Sequence, residues 1–296
     1  MQSTNAAFAI TTDSLSDLSA DYLQQHSIAV ISLSYTVGGK VYDFYQELPH
    51  QQFYGQMREG VPSSTQHFSP MDAERAFERI FDETLGDILH ISSSGPLSAC
   101  YENVCIAAHV VMMRHPGRRI ICFDSRSISL GQGILVATAV ESRDEHHDID
   151  TTHANLELLR SHTCHLMSVD DVEYLYQSGR LTKRQAALNI MLDIRPIVQI
   201  NHDGNMVMSN GVRSRRRSLI ALLDIMEQRL QYGWAEKNRV IYIAHADAEQ
   251  DARFLASRIE TRFGFKHFLI SPMGAIVGVH GGPGVVGVFF LGNHKL

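Results

Sequence analysis

Strand, polar loop and helix follow one another several times over residues 1–142, and this alternation constrains the fold more than any other feature of the chain. Residues 7–10 read as a short strand ending at Thr11-Thr12-Asp13-Ser14, with Ser14 or Ser16 placed to cap a helix over 17–26. Residues 28–35 form a second strand candidate, and Gly38-Gly39 turns the chain into 41–45. Residues 49–59 are helical in pattern, and 62–67 (PSSTQH) read as a polar loop. Over 71–85, Ala73, Ala76, Phe77 and Ile80 are spaced for one helical face. Strands at 88–91 and 119–123 each run into a hydroxyl-rich break and then a helix, at 97–113 and 131–142. The pattern predicts an α/β layer with a largely parallel sheet, whose ligands sit beyond the carboxyl ends of the strands. The loops holding Thr12, Ser64, Ser94 and Asp124 are the places for such ends.

The second half has a different texture. Residues 143–150 (RDEHHDID) carry no apolar period and read as a surface segment near a domain boundary. Helices are expected at 155–161, 172–176, 218–230 and 248–263, and strands at 164–169, 197–200, 206–209 and 240–245. Asn201-His202-Asp203-Gly204 is a hairpin turn, and the glycine-rich 274–291 reads as strand. Hairpins among helices predict an α+β domain over 151–296, behind an α/β domain over 1–150. A chain of 296 residues is long enough for two domains.

Charge and composition exclude whole classes of function. Lys and Arg number 26 and Asp and Glu 32, a formal net charge of −6, so the chain lacks the basic excess of a nucleic-acid binder. Cysteines 100, 105, 122 and 164 form no CxxC pair and are expected to be reduced thiols in a cytoplasmic protein. The opening MQSTNAAFAI has no basic region ahead of a long apolar stretch, so no signal peptide is expected. No run approaches the roughly 18 apolar residues of a membrane span, so membrane contact is expected to be peripheral or absent.

Two hydroxyl clusters stand where chemistry is expected: Ser63-Ser64-Thr65-Gln66, and Ser92-Ser93-Ser94 with Ser98. Hydroxyls and free N–H groups at a helix start bind anions, and the same residues also serve as plain caps and turns. Gly282 to Gly287 match GxGxxG, but only nine residues follow and Pro283 spoils a phosphate turn, so no nucleotide site is expected. These glycines suit a close approach of backbone to a ligand or a neighbouring strand, and His280 suits the core. Arg213, Arg215, Arg216 and Arg217 are either a solvated face or a docking patch for an acidic partner. Arg180 follows Gly179 and suits a helix cap. His146-His147 and His162-x-Cys164-His165 lack the spacing of a structural zinc site, and no metal or other cofactor is expected. Asp13 and Asp124 follow strands as catalytic carboxylates do, but no paired base or nucleophile accompanies them.

At these residues the chain resembles the DegV family of bacterial fatty-acid-binding proteins, over nearly its whole length. The motif T-D-S-x-x-D-L stands at residues 12–18 and T-S-Q is matched by Ser64-Thr65-Gln66. The S-S-G-L-S-G-T-Y element corresponds to Ser93 through Tyr101, and D-S-x-S-I-S-x-G-x-G stands at 124–133. The remaining matches are Ser178-Gly179-Arg180-Leu181, Arg195-Pro196-Ile197 followed by Asp203-Gly204, and Val279-His280-Gly281-Gly282-Pro283-Gly284. The resemblance implies a two-domain DegV-like α/β fold with a lipid tunnel between the domains, holding one long-chain fatty acid. It implies that Ser64 and Ser98 hold the carboxylate, with Thr65 beside them and Arg180 and His280 near that end. It further implies a carrier with no catalytic residues, whose bound carboxylate is phosphorylated by a partner fatty acid kinase and passed on to phospholipid synthesis. Arg213, with Arg215 and Arg216, would meet that kinase.

The chain departs from the family pattern in two places. Ser64 replaces a threonine, and Ala99-Cys100 replace Gly-Thr. Pro96 and one extra residue alter the preceding loop, which makes Ser94 a further carboxylate contact. Two other readings stay open: an acyl hydrolase or transferase using Ser98 or Cys100 with His280, and a lipid-sensing module docking through the arginine run.

Overall fold

In a computed structural model of the chain, residues 8–192 and 194–294 are described. The first half runs β1 (Phe8–Asp13), α1 (Ala20–Gln25), β2 (Ala29–Ile31), β3 (Ser34–Val37), β4 (Lys40–Asp43), α2 (His50–Arg58), β5 (Ser63–Gln66) and α3 (Pro70–Glu83). It continues with β6 (Asp87–Ser92), α4 (Cys100–Arg114), β7 (Ile120–Asp124), α5 (Leu130–Asp144) and α6 (Ile149–Arg160). The second half runs β8 (Thr163–Ser168), α7 (Glu173–Gln177), α8 (Lys183–Met191), β9 (Ile194–Ile200), β10 (Met206–Arg213) and α9 (Arg215–Arg229). It ends with β11 (Ile241–His245), α10 (Glu249–Phe263), β12 (Phe268–Pro272), α11 (Ala275–Gly281) and β13 (Val286–Leu291).

Among the described residues three sheets result. β2-β1-β6-β7 are all parallel, as the strand–loop–helix alternation predicts. β4-β3-β5 form a small antiparallel sheet. The six-stranded sheet, β10-β9-β8-β13-β11-β12, is antiparallel except for the β11–β12 edge, which gives the second half its mixed α/β character.

Several sequence expectations are corrected. Helix α1 is capped by Ser19, whose hydroxyl accepts from Tyr22 N–H, and not by Ser14 or Ser16. Ser14 instead accepts from Leu33 N–H, and Asp17 at φ 52° keeps the chain out of the helix. The strand expected over 28–35 breaks at Ser32-Leu33: β2 joins the parallel sheet and β3 the small one. Ser32 serves this break by accepting from Phe44 N–H and donating to Leu33 C=O. The polar loop at 62–67 contains β5, paired to β3 from Ser34–Gln66 to Val37–Ser63. The surface segment expected at 143–150 is exposed over 144–148 and short, because α5 runs to Asp144 and Asp148 caps α6 by accepting from Thr151 N–H at 2.7 Å. Within 274–291 the first part is α11 and not strand; Ala275 to Val279 are all buried, so the run has no polar face to reveal its period.

One apolar cluster begins in the parallel sheet, at Phe8, Ile10, Ile88, Leu89 and Ile91, and crosses to Met167, Val169, Val198, Ile200 and Phe289 of the six-stranded sheet. A second cluster fills the far side of that sheet under α9 and α10, with Leu222, Leu223, Met226, Leu255 and Ile259. The six-stranded sheet is thus apolar on both faces, and one face looks toward the parallel sheet. Helix α5 lies between the two sheets and needs Gly131 there: a Cβ at that position would stand 2.0 Å from His165 Nε2 on β8.

Candidate functional site

Between the sheets lies a cavity with about 740 Å³ of space free of atoms, a figure that includes solvent at its mouth. Residues just beyond the carboxyl ends of β1, β6 and β7 form one wall, through Leu15, Leu97, Ser98 and Ile128. The six-stranded sheet supplies Met167, Val198 and Met206 opposite, with Val169 just past the end of β8. Leu33, Thr65 and His67 come from the small sheet and its exit, and Ile276, Val277 and His280 from α11. Leu175, Arg180, Met273 and Val285 close the wall.

The polar lining residues gather together. Thr65 Oγ1 lies 3.0 Å from His280 Nε2, and Ser98 Oγ lies 3.2 Å from His67 Nδ1. Arg180 Nη2 donates to the carbonyl of Leu97, next to Ser98, at 2.9 Å. Ser98 also accepts from Cys100 N–H at 3.3 Å, which seats its hydroxyl at the entry of α4. Burial, with smaller contributions from the Arg180 guanidinium and His67, pushes the His280 imidazole down to about 4. Burial and Arg180 lower His67 as well. Both rings are therefore neutral near pH 7, and Arg180 carries the positive charge. No carboxylate stands among the described lining residues. His280 Nδ1 is buried without a hydrogen-bond partner among the described residues. The result is an apolar hollow with neutral donors and one cation gathered in a single cluster, a setting for an anionic head on an apolar body.

The structure brings Thr65, Ser98, Arg180 and His280 into one site, and it does not bring Ser64 or Ser94 there. Successive side chains on a strand face opposite ways, so Thr65 points to the cavity while Ser64 is exposed. Ser64 lines a surface depression bounded by β5, α7 and α11, which shares Thr65 and His280 with the cavity. Ser94 is fully buried and donates to the Gly204 carbonyl at 2.7 Å, tying the β6–α4 loop to the β9–β10 turn. Its hydroxyl proton is committed there. His67 was missed by sequence reasoning, although it directly follows the Ser-Thr-Gln element and contacts Ser98.

The other candidates have structural duties. Asp13 is buried, which raises its carboxyl above the usual range, and it accepts from Ser93 N–H, Leu15 N–H and the Gln132 amide. Asp124 accepts from Gly95 N–H and Arg126 N–H. Both staple loops at strand ends and neither lines the cavity. The glycines at 282–284 do serve close approach: Gly282 has φ 81°, and a Cβ there would meet the Tyr174 ring at 2.3 Å. Arg213 is exposed at the end of β10, with Nε donating to the Leu192 carbonyl at 3.1 Å. Arg215 is pinned to Asp251 at 2.7 Å and donates to the Gly284 carbonyl. Arg216 lies over the Phe254 ring, 4.0 Å from its centre. Among the described residues no group of three His, Cys, Asp or Glu is placed to hold a metal ion, and no helix is long and apolar enough to cross a membrane.

Comparison with known proteins gives the same answer as the motifs. The sequence pattern of the family described as "Uncharacterised protein, DegV family" matches residues 7–293. A DegV domain-containing protein of Clostridium perfringens is 30 % identical over 290 residues, covering 97 % of this chain and 98 % of the relative. A solved Thermus thermophilus structure, described as fatty acid binding of a DegV family protein, superposes with a TM-score of 0.84 at 26 % identity, covering 97 % of this chain and 99 % of that one. A stearic acid-binding protein of Eubacterium ventriosum shares the fold with a TM-score of 0.85 at 20 % identity, covering 96 % and 98 %. On a match that spans nearly every residue, this chain belongs to the DegV family.

Proposed function

We propose that this protein binds one long-chain fatty acid in the cavity between the sheets, with the carboxylate at the Thr65–Ser98–Arg180–His280 cluster, and presents that carboxylate to a partner fatty acid kinase. The observation that carries the reading is the make-up of the lining: aliphatic side chains and methionines, two hydroxyls, two neutral imidazoles, one guanidinium and no carboxylate among the described residues. An alkyl chain with about 14 methylenes gains about 0.8 kcal/mol for each one buried, roughly 11 kcal/mol before the cost of ordering. The tail supplies affinity and the polar cluster orients the head. The Thermus thermophilus relative, described as binding fatty acid, supports the ligand class.

The kinase role rests on access. The surface depression shares Thr65 and His280 with the cavity, so a carboxylate held by Thr65 lies just behind the surface from which a phosphoryl donor would approach. The chain itself has no phosphate loop, so nucleotide and metal would come with the partner, and the acyl phosphate would then serve phospholipid synthesis. A hydrolase reading through Cys100 is weaker: burial pushes that thiol up, and neither His67 nor His280 is backed by a carboxylate among the described residues.

The test is extraction of the purified protein with organic solvent and mass spectrometry of the extract. An acyl chain in near one-to-one ratio is expected. Recovery of none from any host, together with no uptake of added palmitate or oleate, rejects the reading.

A further inference from the structure

A serine hydroxyl has two lone pairs and one proton, and at Ser98 the structure already uses the acceptor side. Cys100 N–H donates to Oγ at 3.3 Å, and His67 Nδ1 stands 3.2 Å from the same oxygen. The backbone around the serine is fixed as well. Its N–H donates to the Ser94 carbonyl at 3.0 Å, and Arg180 holds the carbonyl of Leu97. His67 comes to this place because it leaves β5 two residues after Thr65 and the residue that follows it is pinned to α4: the Phe68 carbonyl accepts from the Asn103 amide at 2.8 Å. Phe68 is buried, whereas His67 is exposed while lining the cavity, so it stands at the mouth, where water exchanges the ring proton.

We propose that His67 is a positioning residue: its Nδ1–H donates to Ser98 Oγ and so turns the Ser98 proton toward the carboxylate of the bound fatty acid. The inference rests on the fatty-acid reading of the cavity and adds to it the residue that orients the serine. Partial burial and the Arg180 charge disfavour a second proton on the ring, so the choice lies between the two neutral tautomers. With the proton on Nε2, Nδ1 is a bare acceptor and takes the Ser98 proton. The hydroxyl then shows the cavity a lone pair, which repels a carboxylate. With the proton on Nδ1, both Ser98 lone pairs are occupied, one by Cys100 N–H and one by the imidazole, and what the hydroxyl still has to offer is its proton. An anionic head selects this second tautomer. Cys100 Sγ, 3.7 Å from Nδ1, fits it too, as a weak and longer acceptor for the same N–H.

The experiment takes the full-length protein with isotope-labelled histidine, strips it of lipid and titrates it with palmitate under long-range proton–nitrogen NMR. The His67 signals are those missing from His67→Asn. In the palmitate complex of the wild type, Nδ1 is expected to carry the proton and Nε2 to be bare. His67→Phe is expected to raise the palmitate dissociation constant roughly tenfold, the size of one lost hydrogen bond. His67→Asn, whose side-chain amide nitrogen takes the place of Nδ1, is expected to stay within about threefold of the wild type. Adding His67→Phe to Ser98→Ala costs nothing further, because the ring acts through the serine. A bare Nδ1 in the complex, equal losses in the two His67 variants, or additive losses in the double variant overturn the proposal while palmitate still binds. No palmitate uptake by the wild type overturns the fatty-acid reading itself and this assignment with it.

Discussion

Thr65 Oγ1 and His280 Nε2 are 3.0 Å apart although 215 residues separate them in the chain. That contact joins the small antiparallel sheet to the last helix and forms one side of the polar cluster. The other side is the Ser98–His67 pair, which joins the entry of α4 to the exit of β5. Each hydroxyl is thus backed by a neutral imidazole, and the Arg180 guanidinium bonds to the Leu97 carbonyl beside Ser98.

Under the proposed function, removing one hydroxyl is expected to weaken the hold on the carboxylate without emptying the cavity. Ser98→Ala and Thr65→Val are each expected to raise the dissociation constant for a long-chain fatty acid roughly tenfold, the size of one hydrogen bond to a charged group. Ser64→Ala, on the outer face of β5, is expected to leave it unchanged. Displacement of a fluorescent fatty acid measures all three. Equal effects at Ser64 and Thr65 would contradict the strand register.

Arg180 sets the protonation of its neighbours. In the protein without ligand, Arg180→Met removes a cation that disfavours the imidazolium, so the His280 pKa rises from about 4 and that of His67 rises with it. Imidazole proton shifts followed by NMR across pH 4–8 read this directly. A fall in either pKa would show that Arg180 does not act on the rings in this way.

His90 predicts the acid limit of the fold. It is fully buried on β6, with Nδ1 2.8 Å from Thr11 Oγ1, and burial lowers its pKa from 6.5 to about 3. The unfolded chain binds the proton first, so stability present above pH 6.5 is lost as pH falls toward 3. Every tenfold difference in proton affinity between the folded and unfolded chain is worth about 1.4 kcal/mol, so the loss from this residue reaches roughly 4–5 kcal/mol. Urea unfolding at stepped pH is expected to show a shallower decline for His90→Gln than for the wild type. Parallel curves would assign the acid limit to other groups.

The arginine run divides by role. Arg213→Ala is expected to leave fatty acid bound and the melting temperature unchanged while slowing turnover by a partner kinase, because Arg213 is exposed at the end of β10. Arg215→Ala breaks the contacts to Asp251 and the Gly284 carbonyl, and is expected to lower stability by about 1–2 kcal/mol. Thermal unfolding and a reconstituted kinase assay separate the two. A large loss of stability in Arg213→Ala would remove it as a docking residue.

Much of the molecule was legible from residues 8–144. The alternation of apolar runs with hydroxyl-rich breaks identifies β1, β6 and β7 with their helices, because β1 and β6 are buried almost throughout, β7 is apolar up to Asp124, and each break is polar. The stretches that misled are short or uniformly buried. In β5, Ser63–Gln66, no apolar residue is present to show a strand period. In α11, Ala275–Gly281, no polar face shows a helical one.

The site followed the same division. Seven motifs in order named the family, and they named Ser98, Arg180 and His280, because those residue types at those places are carried by the chain itself. Which hydroxyl of Ser64-Thr65 faces inward was decided by the register of β5 on β3, where a shift of one residue exchanges the two faces. Whether Ser94 was free was decided by the Gly204 carbonyl, 110 residues away. The sequence by itself determined the kinds of side chain available and the local periods that make strands and helices. Only the tertiary structure decided which side chains share a cavity, because strand pairing and close packing between distant segments set that, and neither is a local property of the chain.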